Sequence, residues 1–216
     1  MLFKKIIIPF CMLILTSITC PANSIEPDIL GSLSQAEQQQ LQSGEIIVRE
    51  VETHEPTGQT FEVIGIMRTS ALAVVQLLMD YESYPDYQSA VHQIEVVEVH
   101  EDGATLNYIL ESMLGVTKRH RIRLSMSKSD DAHYKVEWSL VEWPGLKPID
   151  TIKDTRGYWM ISQQTPQSTL VHYYVYSDPG PVPFGLGMIV NSLSKSSIID
   201  AYRETRTEVE KRFTTP

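Results

Sequence analysis

Cysteine is scarce in this chain of 216 residues: there are only two, Cys11 and Cys20, both near the start. Once that first stretch is removed, no thiol is left, which excludes a disulfide frame, a cysteine nucleophile and a cysteine-ligated metal. Positive charge is also in deficit, with 18 Lys and Arg against 27 Asp and Glu, a formal net charge of −9. Nucleic-acid binders gather a basic surplus on one face, so no nucleic-acid partner is expected. The apolar run from Ile6 to Ile18 is shorter than the about 20 residues that a membrane-spanning helix needs. Catalytic signatures are missing too. The six histidines, His54, His92, His100, His120, His133 and His172, form neither H-x-H nor H-E-x-x-H, so no pair shares a metal-binding helix face. There is no G-x-S-x-G turn to expose a serine nucleophile. Gly185 and Gly187 lack the rest of a phosphate-cradling loop. No metal and no cofactor are expected.

What is present begins with a leader. Lys4 and Lys5 precede the apolar run, Pro21 ends it, and Ala22 and Ser24 place small residues at the −3 and −1 positions of a cleavage site. Residues 1–24 therefore read as a signal peptide cut after Ser24, or alternatively after Ala22. The mature chain is expected in the periplasm or outside the cell. Lipid attachment at Cys20 is a minor alternative, because Ile18 and Thr19 fit poorly before a lipidated cysteine.

Residues 25–43 are polar and rich in glutamine, and Ser34 followed by Glu37 is a capping-box pattern that predicts a short helix over 34–42. Residues 44–216 read as one domain. Two strand-like runs, 45–53 and 61–68, flank a turn at Glu55-Pro56-Thr57-Gly58. Ser70 caps a helix over 71–80. Pro85 disfavours helix at Tyr84 and so predicts a break, then a second short helical turn. About five antiparallel strands follow. In Thr117 to Met126, Ile122, Leu124 and Met126 share one face and Arg119, Arg121 and Arg123 the other. Asp178 to Pro183 is a hard stop, after which a helix over about 184–212 carries an apolar stripe through Leu186, Ile189, Val190, Leu193, Ser197, Ala201, Thr205 and Val209. This order predicts an α+β fold in which a curved antiparallel sheet wraps round one long helix. A cavity remains between them if the sheet does not close.

The order resembles the START-like, or polyketide-cyclase-like, helix-grip superfamily (SRPBCC), and within it the branch that includes coenzyme Q-binding proteins. Residues 77–87, Leu-Leu-Met-Asp-Tyr-Glu-Ser-Tyr-Pro-Asp-Tyr, are similar to that family's helix-to-turn segment. Val91 to Val99 resembles its next strand, Gly157-Tyr158-Trp159 its late G-x-W strand, and Asp178 to Pro183 its last junction. The resemblance runs over about 45–213. It implies binding or transfer of lipids and other apolar molecules, with cyclase-type enzymes in some branches. Export is a departure from many relatives.

The first expectation is a binding or carrier protein for a lipid or other hydrophobic small molecule. The lining expected on the sheet and first helix is Met67, Leu78, Tyr108, Trp138, Trp159 and Tyr173, closed from the long helix by Met188, Ile189 and Ser192. Arg121 has two readings: a solvated strand face, or a guanidinium at the cavity gripping an acidic head group. Trp138, Tyr158, Trp159, Tyr173 and Tyr174 read either as core packing or as a pocket wall. His120 and His172 read as ordinary strand histidines. The second expectation is a cyclase-type enzyme using Arg121, Glu137 and His172. The third is a module that binds another envelope protein. Transient contact with a membrane accompanies the carrier reading, and the oligomeric state is left open.

Overall fold

The computed structural model describes residues 29–111, 117–181 and 187–213, with the side chains of residue 111 and residues 187–194 outside the description. The leader, residues 182–186 and the side chains of Met188, Ile189 and Ser192 therefore lie outside the described residues.

Helix α1 is Gln35–Gln42, and the expected capping box forms: Ser34 Oγ accepts from the Glu37 N–H at 3.3 Å, and the Glu37 carboxylate accepts from the Ser34 N–H at 2.8 Å. Strands β1 (Ile47–Val51) and β2 (Gln59–Met67) make the first hairpin, with Gly58 at a φ of 81° in its turn. Helix α2, Ala71–Met79, starts at Ser70, whose hydroxyl accepts from the Ala73 N–H. Helix α3 is Tyr84–Tyr87. Six strands follow: β3 (Val91–His100), β4 (Gly103–Glu111), β5 (Thr117–Lys128), β6 (His133–Val141), β7 (Asp154–Thr165) and β8 (Ser168–Asp178). Helix α4, Gly187–Phe213, closes the order.

Tyr84 corrects one expectation. Its φ of −55° and ψ of −41° are helical although Pro85 follows. Proline is tolerated in a first helical turn, where its missing N–H has no partner to lose. The buried Tyr84 hydroxyl also donates to the Leu78 carbonyl at 2.5 Å, which ties the turn back to α2.

All eight strands form one antiparallel sheet in the order β1-β2-β8-β7-β6-β5-β4-β3. The sheet is curved and does not close, and β1 and β3 are its edges. Pairing of β2 with β8 brings the start and end of the domain together. The period of two along each strand separates an inner face, turned to α2 and α4, from a back face. The inner face carries Phe61, Val63, Met67, Leu106, Ile122, Leu124, Val136 and Ile161, all buried with Leu77 and Leu78 of α2. On the back face, Leu33 and Leu41 cover Ile47, Ile64 and Leu170, so the polar N-terminal segment spends its few leucines on a second apolar layer.

On α4 the expected stripe holds at Thr205 and Val209 and shifts by one residue at two positions, from Ser197 to Ile198 and from Ala201 to Tyr202. Ile198, Tyr202, Thr205 and Val209 are buried, whereas Ser197 is exposed and Ala201 half-buried. Spacings of four, three and four still follow the helical period. The bulkier neighbours of Ser197 and Ala201 take the inner positions.

Candidate ligand-binding face

The inner face brings together six of the expected lining residues: Met67, Leu78, Tyr108, Trp138, Trp159 and Tyr173 belong to one apolar cluster. Their strands alternate in phase, which puts every second residue of β2, β4, β6, β7 and β8 on this side. Trp159 and Tyr173 are cross-strand neighbours, with ring centroids 4.0 Å apart and planes within 17°. Tyr202 of α4 extends the stack, 5.8 Å from Trp159, and Trp138 reaches Tyr173 at 5.7 Å. The Trp138 Nε1–H donates to Thr155 Oγ1 at 3.3 Å, which fixes the indole. Gly157 makes room for that ring, since a Cβ there would stand 2.6 Å from the Trp138 ring and 2.2 Å from the Tyr174 carbonyl oxygen.

At the β4–β5 end, Tyr108 stacks on His120 at 5.2 Å, and Tyr84 meets Tyr108 edge-on at 6.4 Å. His120 is 6% exposed, and burial pushes its pKa down to about 4. The imidazole is therefore neutral at pH 7. Burial also raises the Tyr108 and Tyr173 phenols above their usual range.

The charged candidates sit elsewhere. Arg121, Glu137 and His172 all lie on the back face, which corrects the expectation that they share the cavity. The reason is strand parity: with Ile122, Val136 and Tyr173 inside, their neighbours must point out. The Arg121 Nε–H donates to Asn107 Oδ1 at 2.8 Å, and its guanidinium lies 5.4 Å over the Trp143 ring. There it borders a cleft of about 440 Å³ at the ends of β5 and β6, with Trp143, Leu146 and Pro181. Glu137 pairs with Lys135. His172 Nε2 lies 3.0 Å from the Glu62 carboxylate. Tyr158 and Tyr174, grouped with the pocket aromatics from the sequence, stack on each other on the back face at 5.2 Å. Among the described residues, no three His, Cys, Asp or Glu side chains come together as a metal set.

Tyr202 and His120 also face this side, outside the expected lining. Tyr202 was hidden by the choice of stripe on α4. His120 shares the parity of Ile122 and Leu124, a signal already present in the alternation of β5.

No protein-family profile matches the sequence, and no curated protein matches it. Solved structures do match. A STAR-related lipid transfer protein from Xanthomonas axonopodis aligns with a TM-score of 0.66 at 15% identity, over 76% of this chain and 93% of that one. The fold is START-like. Human StAR-related lipid transfer protein 5 gives a TM-score of 0.63 at 14% identity, over 78% of this chain and 83% of its own. The Streptomyces aromatase/cyclase Zhui gives 0.59 at 13% identity, over 77% and 96%. At such identities the likeness carries the START-like architecture: an open antiparallel sheet, short helices after the first strands, and a long C-terminal helix.

Proposed function

We propose that this protein binds a lipid or other hydrophobic small molecule between the inner face of the sheet and α4, and acts as a carrier for it. The observation that carries this reading is the inner wall itself. Met67, Leu78, Tyr108, Trp138, Trp159 and Tyr173 join one apolar, aromatic surface, the type of lining that small-molecule sites use. The fold supports it, because two of its structural neighbours are named lipid transfer proteins. An aromatase/cyclase is also a neighbour. The acid and base groups that such chemistry would draw on, Glu137 and His172, stand on the back face here, which favours binding over catalysis.

Export belongs to the same proposal. It rests on the Lys4-Lys5 start, the apolar run and the Ala22-Asn23-Ser24 site, and N-terminal sequencing of protein from a periplasmic fraction tests it. A start at Ile25 supports it, and an intact Met1 retained with the cytoplasm contradicts it.

Binding is tested by transfer of a fluorescent phospholipid or fluorescent fatty alcohol from vesicles to the purified protein. Saturable transfer supports the carrier reading. Failure to take up either probe, in protein shown to be folded, contradicts it.

A further inference from the structure

Two buried polar atoms packed against the inner cluster lack a hydrogen-bond partner among the described residues, the Tyr87 hydroxyl on α3 and His120 Nδ1 on the wall itself. Buried threonine hydroxyls elsewhere on this side are satisfied within the protein: Thr155 donates to the Tyr176 carbonyl at 3.2 Å, Thr169 donates to the Thr69 carbonyl at 2.7 Å, and Thr205 accepts from Gln88 at 3.4 Å. Native interiors rarely leave such an atom unpaired, and an exception calls for a partner.

Resting on the binding function proposed above, we infer that His120 is the hydrogen-bonding residue of the ligand site and that the ligand carries a neutral hydroxyl or carbonyl group there. A neutral imidazole offers one donor and one acceptor, and so can serve either group. The surroundings argue against an ionised head. Lys118, two residues along the same strand face, has its Nζ bonded to the carbonyl oxygens of Ile149, Thr151 and Pro181 at 2.8, 3.1 and 3.1 Å. An ammonium has three donors, and here all three are engaged. Arg119, Arg121 and Arg123 have the opposite parity. Lys195 is exposed over Phe61 of β2, which β8, β7 and β6 separate from β5. Arg212, which reaches the Tyr87 ring, is paired with Asp80 and Glu208. A carboxylate or phosphate beside His120 would be a buried charge without a counter-ion, which is costly.

The test is a titration of the purified protein, followed by its tryptophan fluorescence, with 1-decanol, 2-decanone, decane and decanoate at pH 8. The probes differ in water solubility, so the quantity read is the preference of each protein for decanol over decane. In His120→Phe, which keeps a ring against Tyr108, that preference falls about tenfold from wild type, the size of one lost hydrogen bond to a buried group. Decanoate binds wild type more weakly than decanol. An unchanged preference in the variant, or decanoate as the tightest probe, overturns the inference and leaves the carrier reading in place. If no probe binds wild type, the carrier reading fails and this inference fails with it. Should the variant not fold, the ¹⁵N shift of His120 Nδ1 in wild type decides. It moves with decanol and not with decane, and equal shifts overturn the assignment.

Discussion

The indole of Trp159 lies flat against the ring of Tyr173, 4.0 Å between centroids, at the place where β7 pairs with β8. This pair is both part of the core and part of the wall assigned to the ligand. Tyr202 lies near-parallel to Trp159 with centroids 5.8 Å apart, so α4 meets the sheet at the same aromatic group. Removing the indole therefore acts on stability and on binding together. Trp159→Ala is expected to cost about 3–5 kcal/mol, measured by urea unfolding, and Trp159→Phe much less because the ring on Tyr173 is kept.

Gly157 is expected to tolerate no side chain. Its missing Cβ leaves room for the Trp138 ring, and the carbonyl oxygen of Tyr174 stands only 2.2 Å from where that atom would be. A clash with backbone cannot be relieved by a rotamer change. Gly157→Ala should destabilise by about 1–3 kcal/mol, seen as a lower melting temperature with a shifted Trp138 emission.

On the back face, Glu62 is expected to give the protein a stability that fades in acid. Its hydrogen bond with His172, then that with Arg49, holds its carboxyl below the usual range, against the opposing effect of burial. A depressed folded pKa adds stability that is complete above the unfolded value of about 4.3 and is lost as pH falls through the folded one. Glu62→Gln should thus be less stable than wild type by about 1–3 kcal/mol at pH 7. The gap should narrow below about pH 4 in denaturant melts. A gap independent of pH would contradict the assignment.

Glu37 ties α1 to the sheet, since it closes the capping box with Ser34 and pairs with Arg49 at 2.7 Å. The bonds from Ser34, then that from Arg49, pull its pKa down to about 2. In Glu37→Ala, amide exchange should quicken in α1 while the strands β6 to β8 keep their protection.

Much of this architecture was readable from the residues. The Ser34 and Glu37 box marked α1, Gly58 marked the first hairpin, and the alternation from Thr117 to Met126 separated the two faces of β5 correctly. Less readable was what depends on distant parts of the chain. That β2 lies beside β8 follows from pairing across more than a hundred residues, which no local pattern records. The site suffered from the same limit in a different way. Arg121, Glu137 and His172 were chosen for their chemistry, although each is next to a residue whose apolar side chain claims the interior. His120 had the right parity but carries no motif, and only its burial without a partner marks it. On α4, Ser197 and Ala201 fit the helical period as well as Ile198 and Tyr202 do, and bulk, not spacing, decided between them.

The most direct test of the account is native mass spectrometry of the protein, expressed with its leader in a Gram-negative host and purified without detergent. A ligand-loaded carrier shows a discrete added mass, lost on denaturation and recovered by organic extraction as an apolar molecule with a neutral hydroxyl or carbonyl group. A bare protein mass that stays bare after incubation with 1-decanol or a lipid extract would contradict the carrier reading.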